Sequence, residues 1–291
     1  MQESKVLEKL LAWAEGRPEI RAVILTSSRA RADDTADNLS DYDVILAVTD
    51  AEAFARDESW QNAYGRPLAR WSDQGELGDA TTYFHGVVYE DHVKIDYTVW
   101  PAVLLERIAA EDALPDALDV GYRVVLDKDG FTARWSEPSY KAHIPSQPTE
   151  KEYVEQVEEF WWSATYVAKS LWRGEIVFAK FVLDYDMKLG PLRRFLEWHI
   201  EIEHGWSVRP GVFGRGLERR LPPDLWSELA LTYVGSDAED NWGALFRTSA
   251  LFRRVAMEVG KSLGYTYPQR VDDGVTAHLQ AVRALPLRRA R

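Results

Sequence analysis

Ser40-Asp-Tyr-Asp-Val-Ile-Leu-Ala-Val48 carries the first decisive pattern in the chain. Side chains alternate across a β-strand, so Asp41 and Asp43 share one face while Tyr42, Val44, Leu46 and Val48 point to the other. The apolar face belongs to a core, and the opposite face opens with two carboxylates. A bare Asp-x-Asp is common, and most such pairs sit in turns or on solvated strand faces, so its surroundings must narrow the reading. Upstream, Ala22-Val-Ile-Leu-Thr26 predicts a strand that runs into Leu25-Thr-Ser-Ser-Arg29. Small residues at a strand-to-helix turn let backbone N–H groups and hydroxyls reach phosphate oxygens, and the N-terminus of a following helix favours anions. Downstream, Phe84 to Tyr89 and Val93 to Val99 predict two strands joined at Glu90-Asp91. In the second of these, Asp96 faces opposite to Val93, Ile95, Tyr97 and Val99. If the strands are neighbours, Asp41, Asp43 and Asp96 converge.

Three convergent carboxylates repel one another unless a cation sits among them. All-oxygen ligation of that kind suits magnesium held between protein and substrate phosphates. Metals so placed hold the attacking and leaving oxygens of an in-line phosphoryl transfer.

The rest of the chain bounds this reading. At 291 residues, 46% hydrophobic and 28% charged, it has the make-up of a soluble globular protein of one large or two modest domains. No run of about 18 apolar residues is present, which excludes a membrane-spanning helix. The opening MQESKVLEKLLAWAEG alternates charged and apolar residues at helical spacing and reads as a first helix, not a signal peptide. Cysteine is absent, so disulfides, thiolate catalysis and cysteine-based zinc sites are all excluded, in keeping with a cytoplasmic protein. The formal net charge of -12 disfavours non-specific nucleic-acid binding. An acidic surface draws in cationic ligands, although acidity also serves solubility alone.

Lys141-Ala-His-Ile-Pro-Ser-Gln-Pro148 reads as a linker, and Thr149-Glu-Lys-Glu152 has the spacing of a capping box that opens a helix. From there to about residue 265 the pattern is helical. Trp161, Trp162, Trp172, Trp198, Trp206, Trp226 and Trp242 are spread through it, and most of them are expected in the core. Ala281 to Arg291 reads as a loosely held end. The expected architecture is an α/β domain over 1–145, a mixed sheet with flanking helices, followed by an all-α domain over 146–291.

Ser28-Arg29, Ser40-Asp-Tyr-Asp43 and Asp96 together resemble the active-site signature of the DNA polymerase beta-like nucleotidyltransferase superfamily, a Gly-Ser turn followed by Asp-x-Asp and a later Asp. The helical half narrows the resemblance. Phe160-Trp-Trp-Ser-Ala-Thr-Tyr-Val-Ala-Lys-Ser-Leu-Trp-Arg173 and Phe195-Leu-Glu-Trp-His-Ile200 are similar to the C-terminal domain of the aminoglycoside 6-adenylyltransferases. The resemblance extends over roughly residues 1 to 268. It implies magnesium-dependent transfer of AMP from ATP to a hydroxyl on the streptidine ring of streptomycin, the chemistry of an antibiotic-resistance enzyme. It implies Asp41 and Asp43 as metal ligands. Asp96 completes the metal-binding cluster and is the first choice for deprotonating the acceptor. Ser27, Ser28 and Arg29 lie at the nucleotide, with Ser28 holding the triphosphate.

One position departs: Ser27 stands where the family places glycine, which allows close phosphate approach and unusual dihedrals. The added hydroxymethyl group is expected to narrow the nucleotide pocket. In the helical half, Lys169 and Lys180 are candidates to neutralise the triphosphate. Glu197 is a candidate base or a partner for a substrate guanidinium. For each of the three, an ordinary exposed helix residue is the favoured reading of the pattern alone. Gly211-Val-Phe-Gly-Arg-Gly216 reads as a structural loop, since a P-loop requires Lys-Ser/Thr after its last glycine. The expected partners are ATP and a small cationic aminoglycoside, bound between the domains of a monomer, without nucleic acid or membrane. Two alternatives stay open: the same fold with another acceptor, and a ligand-binding relative that turns over poorly because of Ser27.

Overall fold

The computed structural model describes residues 3–31 and 36–286. They form two compact units, Met1–His143 and Ile144–Arg291.

The first unit is built on a six-stranded mixed sheet. Its strands are β1 (Ile20–Thr26), β2 (Tyr42–Val48), β3 (Pro67–Leu77), β4 (Ala80–Tyr89), β5 (Lys94–Pro101) and β6 (Tyr122–Asp127), in the order β3-β4-β5-β2-β1-β6. Only β2 and β5 run parallel; the other neighbours are antiparallel. The central strands are apolar on both faces. Val23, Leu25, Tyr42, Val44, Leu46, Ile95, Tyr97 and Val99 share one core with Val6, Leu10 and Ala14 of helix α1 (Glu3–Glu15). Ala22, Ile24, Ile45, Ala47 and Trp100 share a second core with Leu104, Leu105 and Ile108 of α3 (Val103–Ile108). Between them in sequence, α2 (Ala51–Arg56) contributes Phe54 to the first core. A four-residue α4 (Asp116–Asp119) precedes β6.

The sequence pattern located β1, β2, β4 and β5 but not β3 or β6. β3 is an edge strand whose interior residues are exposed on both faces, so no apolar alternation marks it. β6 is the other edge, short and half-buried. The expectation that β2 keeps one carboxylate face also needs correction. After Asp43 that face turns apolar through Ile45 and Ala47, because α3 covers it.

The second unit is helical: α5 (Glu150–Arg173), α6 (Ile176–Lys180), α7 (Arg193–His204), α8 (Leu217–Arg220), α9 (Pro223–Ala230), α10 (Ala238–Leu263) and α11 (Gln269–Ala284). α6 continues through a wide π-helical stretch, Phe181–Leu192, broken at Gly190-Pro191. The capping box is present: the Thr149 hydroxyl accepts from the Glu152 N–H, and Glu152 accepts from the Thr149 N–H at 2.7 Å. Phe160 and Phe252 stack at 3.7 Å between α5 and α10. Trp161, Trp198 and Trp242 are buried, but Trp162 faces solvent. The chain end differs from expectation as far as Ala284, which lies in α11; residues 287–291 lie outside the described residues.

Candidate active site: a carboxylate cluster bridged by Lys94

The parallel pairing of β2 and β5 sets Asp43 and Asp96 side by side as register partners. Neighbouring strands lie about 4.8 Å apart, so two carboxylates on one face at one level are neighbours by construction. Asp41 sits one residue before β2 and is drawn to the same place by Lys94. The Lys94 ammonium donates to Asp41 Oδ2 at 2.6 Å and to Asp96 Oδ2 at 2.8 Å. The other Asp96 oxygen, Oδ1, is buried and accepts no hydrogen bond. It packs over Gly86, the antiparallel partner of Asp96 on β4, where an added Cβ would lie 3.1 Å from Oδ1.

The electrostatics follow from this crowding. Burial, followed by the charges of Asp96 and Asp41, pushes Asp43 up to about 6, against the opposing pull of the Ser27 hydroxyl and Lys94. Burial works to lower the Lys94 pKa, but the hydrogen bonds it donates to Asp41 and Asp96 outweigh that and hold the ammonium above its usual range.

The turn after β1 completes the cluster. Ser27 adopts φ +61°, the left-handed region in which glycine is unstrained, so the backbone keeps the conformation that glycine would favour. Its N–H is committed to the Gly121 carbonyl at 3.2 Å, and its hydroxyl donates to Asp43. Ser28 lies half-buried in the same turn. The helix expected to follow β1 is instead a single 3₁₀ turn, Ser27–Ala30. Arg29 lies in this turn. Its guanidinium donates to the carbonyls of Asp37, Ser40 and Asp41 and lies 4.0 Å from the Tyr42 ring centre, thereby fixing the entry to β2.

The candidates of the helical half each have partners within their own unit. Lys169 lies over the Tyr166 ring at 4.0 Å. Lys180 donates to the Val234 carbonyl at 2.9 Å and pairs with Asp184 at 2.8 Å. Glu197 is buried, with its two oxygens on Arg193 Nη1 at 2.6 and 2.8 Å; burial raises its pKa against the pull of that guanidinium.

Lys94 is the site residue that the sequence pattern did not single out. The signal was present: Lys94 precedes Asp96 by two residues and therefore shares its strand face. Among the described residues no group of three or more His, Asp or Glu forms a ready-made metal cage, and Lys94 stands between two of the carboxylates that would contribute to one.

A family model described as streptomycin adenylyltransferase matches residues 1–282. An aminoglycoside 6-adenylyltransferase of Bacillus subtilis (strain 168) is 31% identical over 286 residues, which is 96% of this chain and 97% of the relative. One from Campylobacter jejuni is 30% identical over 271 residues, 91% of each chain. A crystal structure of an aminoglycoside 6-adenyltransferase from Bacillus subtilis aligns with 98% of this chain and 100% of its own, at 28% identity and a TM-score of 0.48. With a match over nearly its whole length, the chain belongs to the streptomycin adenylyltransferase family.

Proposed function

We propose that this protein transfers AMP from ATP to a hydroxyl of an aminoglycoside, with the streptidine ring of streptomycin as the preferred acceptor, and releases pyrophosphate. The observation that supports it most is the convergence of Asp41, Asp43 and Asp96 beside the Ser27 turn. The relatives named above are aminoglycoside 6-adenylyltransferases, which supports the acceptor class.

In this reading the acceptor oxygen attacks the α-phosphorus of ATP. A bond forms between them, the bond to the bridging α–β oxygen breaks, and pyrophosphate leaves. Asp96 receives the hydroxyl proton. Ser28 and the turn around it hold the triphosphate, while Arg29 acts at one remove by fixing the loop that carries Asp41. Lys180 and Glu197, each locked to a buried or helical partner, we assign to structure. Catalysis is then mainly positioning and charge neutralisation.

The donor set fits magnesium. Its groups are hard carboxylate oxygens, one of them is buried without a donor, and Asp43 is held toward protonation by burial and then by its neighbours' charge. When bound, magnesium supplies the positive charge that carboxylates and phosphates share. We read the acting species as a cytoplasmic monomer, where ATP is available, with neither nucleic acid nor membrane as partner.

The test is mass spectrometry of streptomycin after incubation with the protein, ATP and magnesium. A gain of one AMP is expected, and Asp43→Asn removes it while leaving the thermal transition unchanged or slightly higher. Streptomycin that binds but gains no mass, alongside other aminoglycosides that also gain none, would turn the reading toward a ligand-binding relative.

A further inference from the structure

Lys94 and Asp96 lie two apart on β5 and share a face, and the register Tyr42↔Ile95 puts Asp41 level with Lys94 across the parallel pair. One ammonium is therefore within reach of both carboxylates, and it contacts both, at 2.6 and 2.8 Å. The lysine and Asp41 side chains are 40% and 37% exposed, whereas Asp96 is only 16% exposed. The cation thus sits at the solvent rim of the cluster on a flexible four-carbon stem, and it swings away at little cost. Asp96 cannot move so freely, since its Oδ1 is buried over Gly86.

We infer that Lys94 is the resident counter-ion of the carboxylate cluster, holding Asp41 to Asp96 in the metal-free protein and giving way when a divalent cation takes the same oxygens. This rests on the metal-dependent reading proposed above. Without a cation, three carboxylates crowded on one strand face would repel and splay apart. One ammonium offsets only part of that charge, which is why it preassembles the site without closing it. A dication brings twice the charge to the same oxygens, so the two compete for Asp41 Oδ2 and Asp96 Oδ2. Lys94 is thus a positioning residue: it holds Asp41 and Asp96 together until the metal takes their oxygens.

Competition has a signature that a purely structural ion pair lacks. Removing the ammonium should destabilise the metal-free protein yet tighten its hold on the metal. Magnesium chloride is titrated calorimetrically into the EDTA-treated, dialysed full chain, alone and with α,β-methylene-ATP, and melting curves are recorded in parallel. Lys94→Met is compared with Lys94→Gln, which keeps polarity in case the first folds poorly, and with Lys94→Arg, which keeps the charge. The expected result is a metal-free melting temperature lower by about 2–4 °C in the Met and Gln variants. Their magnesium dissociation constant should fall by about three- to tenfold, and that of Lys94→Arg should not fall. Folded Met or Gln variants that bind magnesium as the wild type does, or more weakly, overturn the role of Lys94 alone. If neither wild type nor variants take up magnesium under either condition, the metal-dependent reading fails and this inference fails with it.

Discussion

Two residues in the cluster carry opposite kinds of strain. Asp43 is held near 6, whereas the unfolded chain releases its proton near 4. A carboxyl whose folded pKa is raised binds its proton more tightly in the folded state. Its destabilising effect is therefore complete above pH 6, fades as pH falls through 6, and is gone below about 4. In the metal-free protein this is worth up to about 2–3 kcal/mol. Melting curves of wild type and Asp43→Asn in EDTA should thus diverge above pH 6, with the Asn form the more stable, and converge toward pH 4. A constant gap across that range would contradict the burial and repulsion assigned to Asp43. Ser27 shows backbone strain instead, a β-carbon carried at φ +61°. Ser27→Gly removes a left-handed penalty of about 1 kcal/mol and also removes the hydroxyl's hydrogen bond to Asp43, worth about as much. Ser27→Ala loses the bond and keeps the penalty. Chemical denaturation should place the Ala variant about 1 kcal/mol below the Gly variant. Equal stabilities would mean that the turn relaxes out of the left-handed region.

At the scale of elements, the β2–β5 register is what turns a common Asp-x-Asp into a site. A slip by one residue would send Asp96 to the opposite, buried face of the sheet. The site is further shaped by β4, where Gly86 gives Asp96 room. A methyl there would meet Asp96 Oδ1 at 3.1 Å and the Phe84 ring at 3.2 Å, closer than unstrained contact. Gly86→Ala should therefore displace the Asp96 carboxylate by a few tenths of an ångström. Adenylation kcat should fall by about tenfold while the protein stays folded, since small misplacements near the chemistry are costly. Wild-type turnover in this variant would show that Asp96 is not positioned by β4. In the helical unit, the Thr149–Glu152 cap and the periodic apolar face of α5 are legible in the sequence because both are local, set by residues within a turn or two of one another.

At the scale of the whole molecule, the formal charge of -12 bears on the acceptor. Streptomycin, the acceptor proposed above, carries paired guanidinium groups, which match carboxylates in bidentate fashion. Exposed attraction of this kind weakens as the Debye length falls from about 10 Å at 0.1 M salt to about 3 Å at 1 M. The acceptor dissociation constant, measured by calorimetry, should rise as potassium chloride is added. A value independent of salt would assign the acidity to solubility alone. No helix among the described residues is long and apolar enough to cross a membrane.

Local pattern determined a good deal by itself: four of the six strands, the helix after Thr149, and that Asp43 and Asp96 lie opposite the apolar faces of Val44 and Ile95 on their strands. These depend on alternation and capping, which operate over a few residues. The edge strands β3 and β6 were invisible because their exposure leaves no apolar alternation to read. Tertiary structure alone decided which strands are neighbours, that Asp43 and Asp96 share a level, and that Lys94 ties Asp96 to Asp41. It also decided that Arg29, Lys180 and Glu197 are taken up by carbonyls and ion pairs within their own units. A charged side chain's partner depends on what the fold brings within about 4 Å, and that distance is not written in the spacing of residues along the chain.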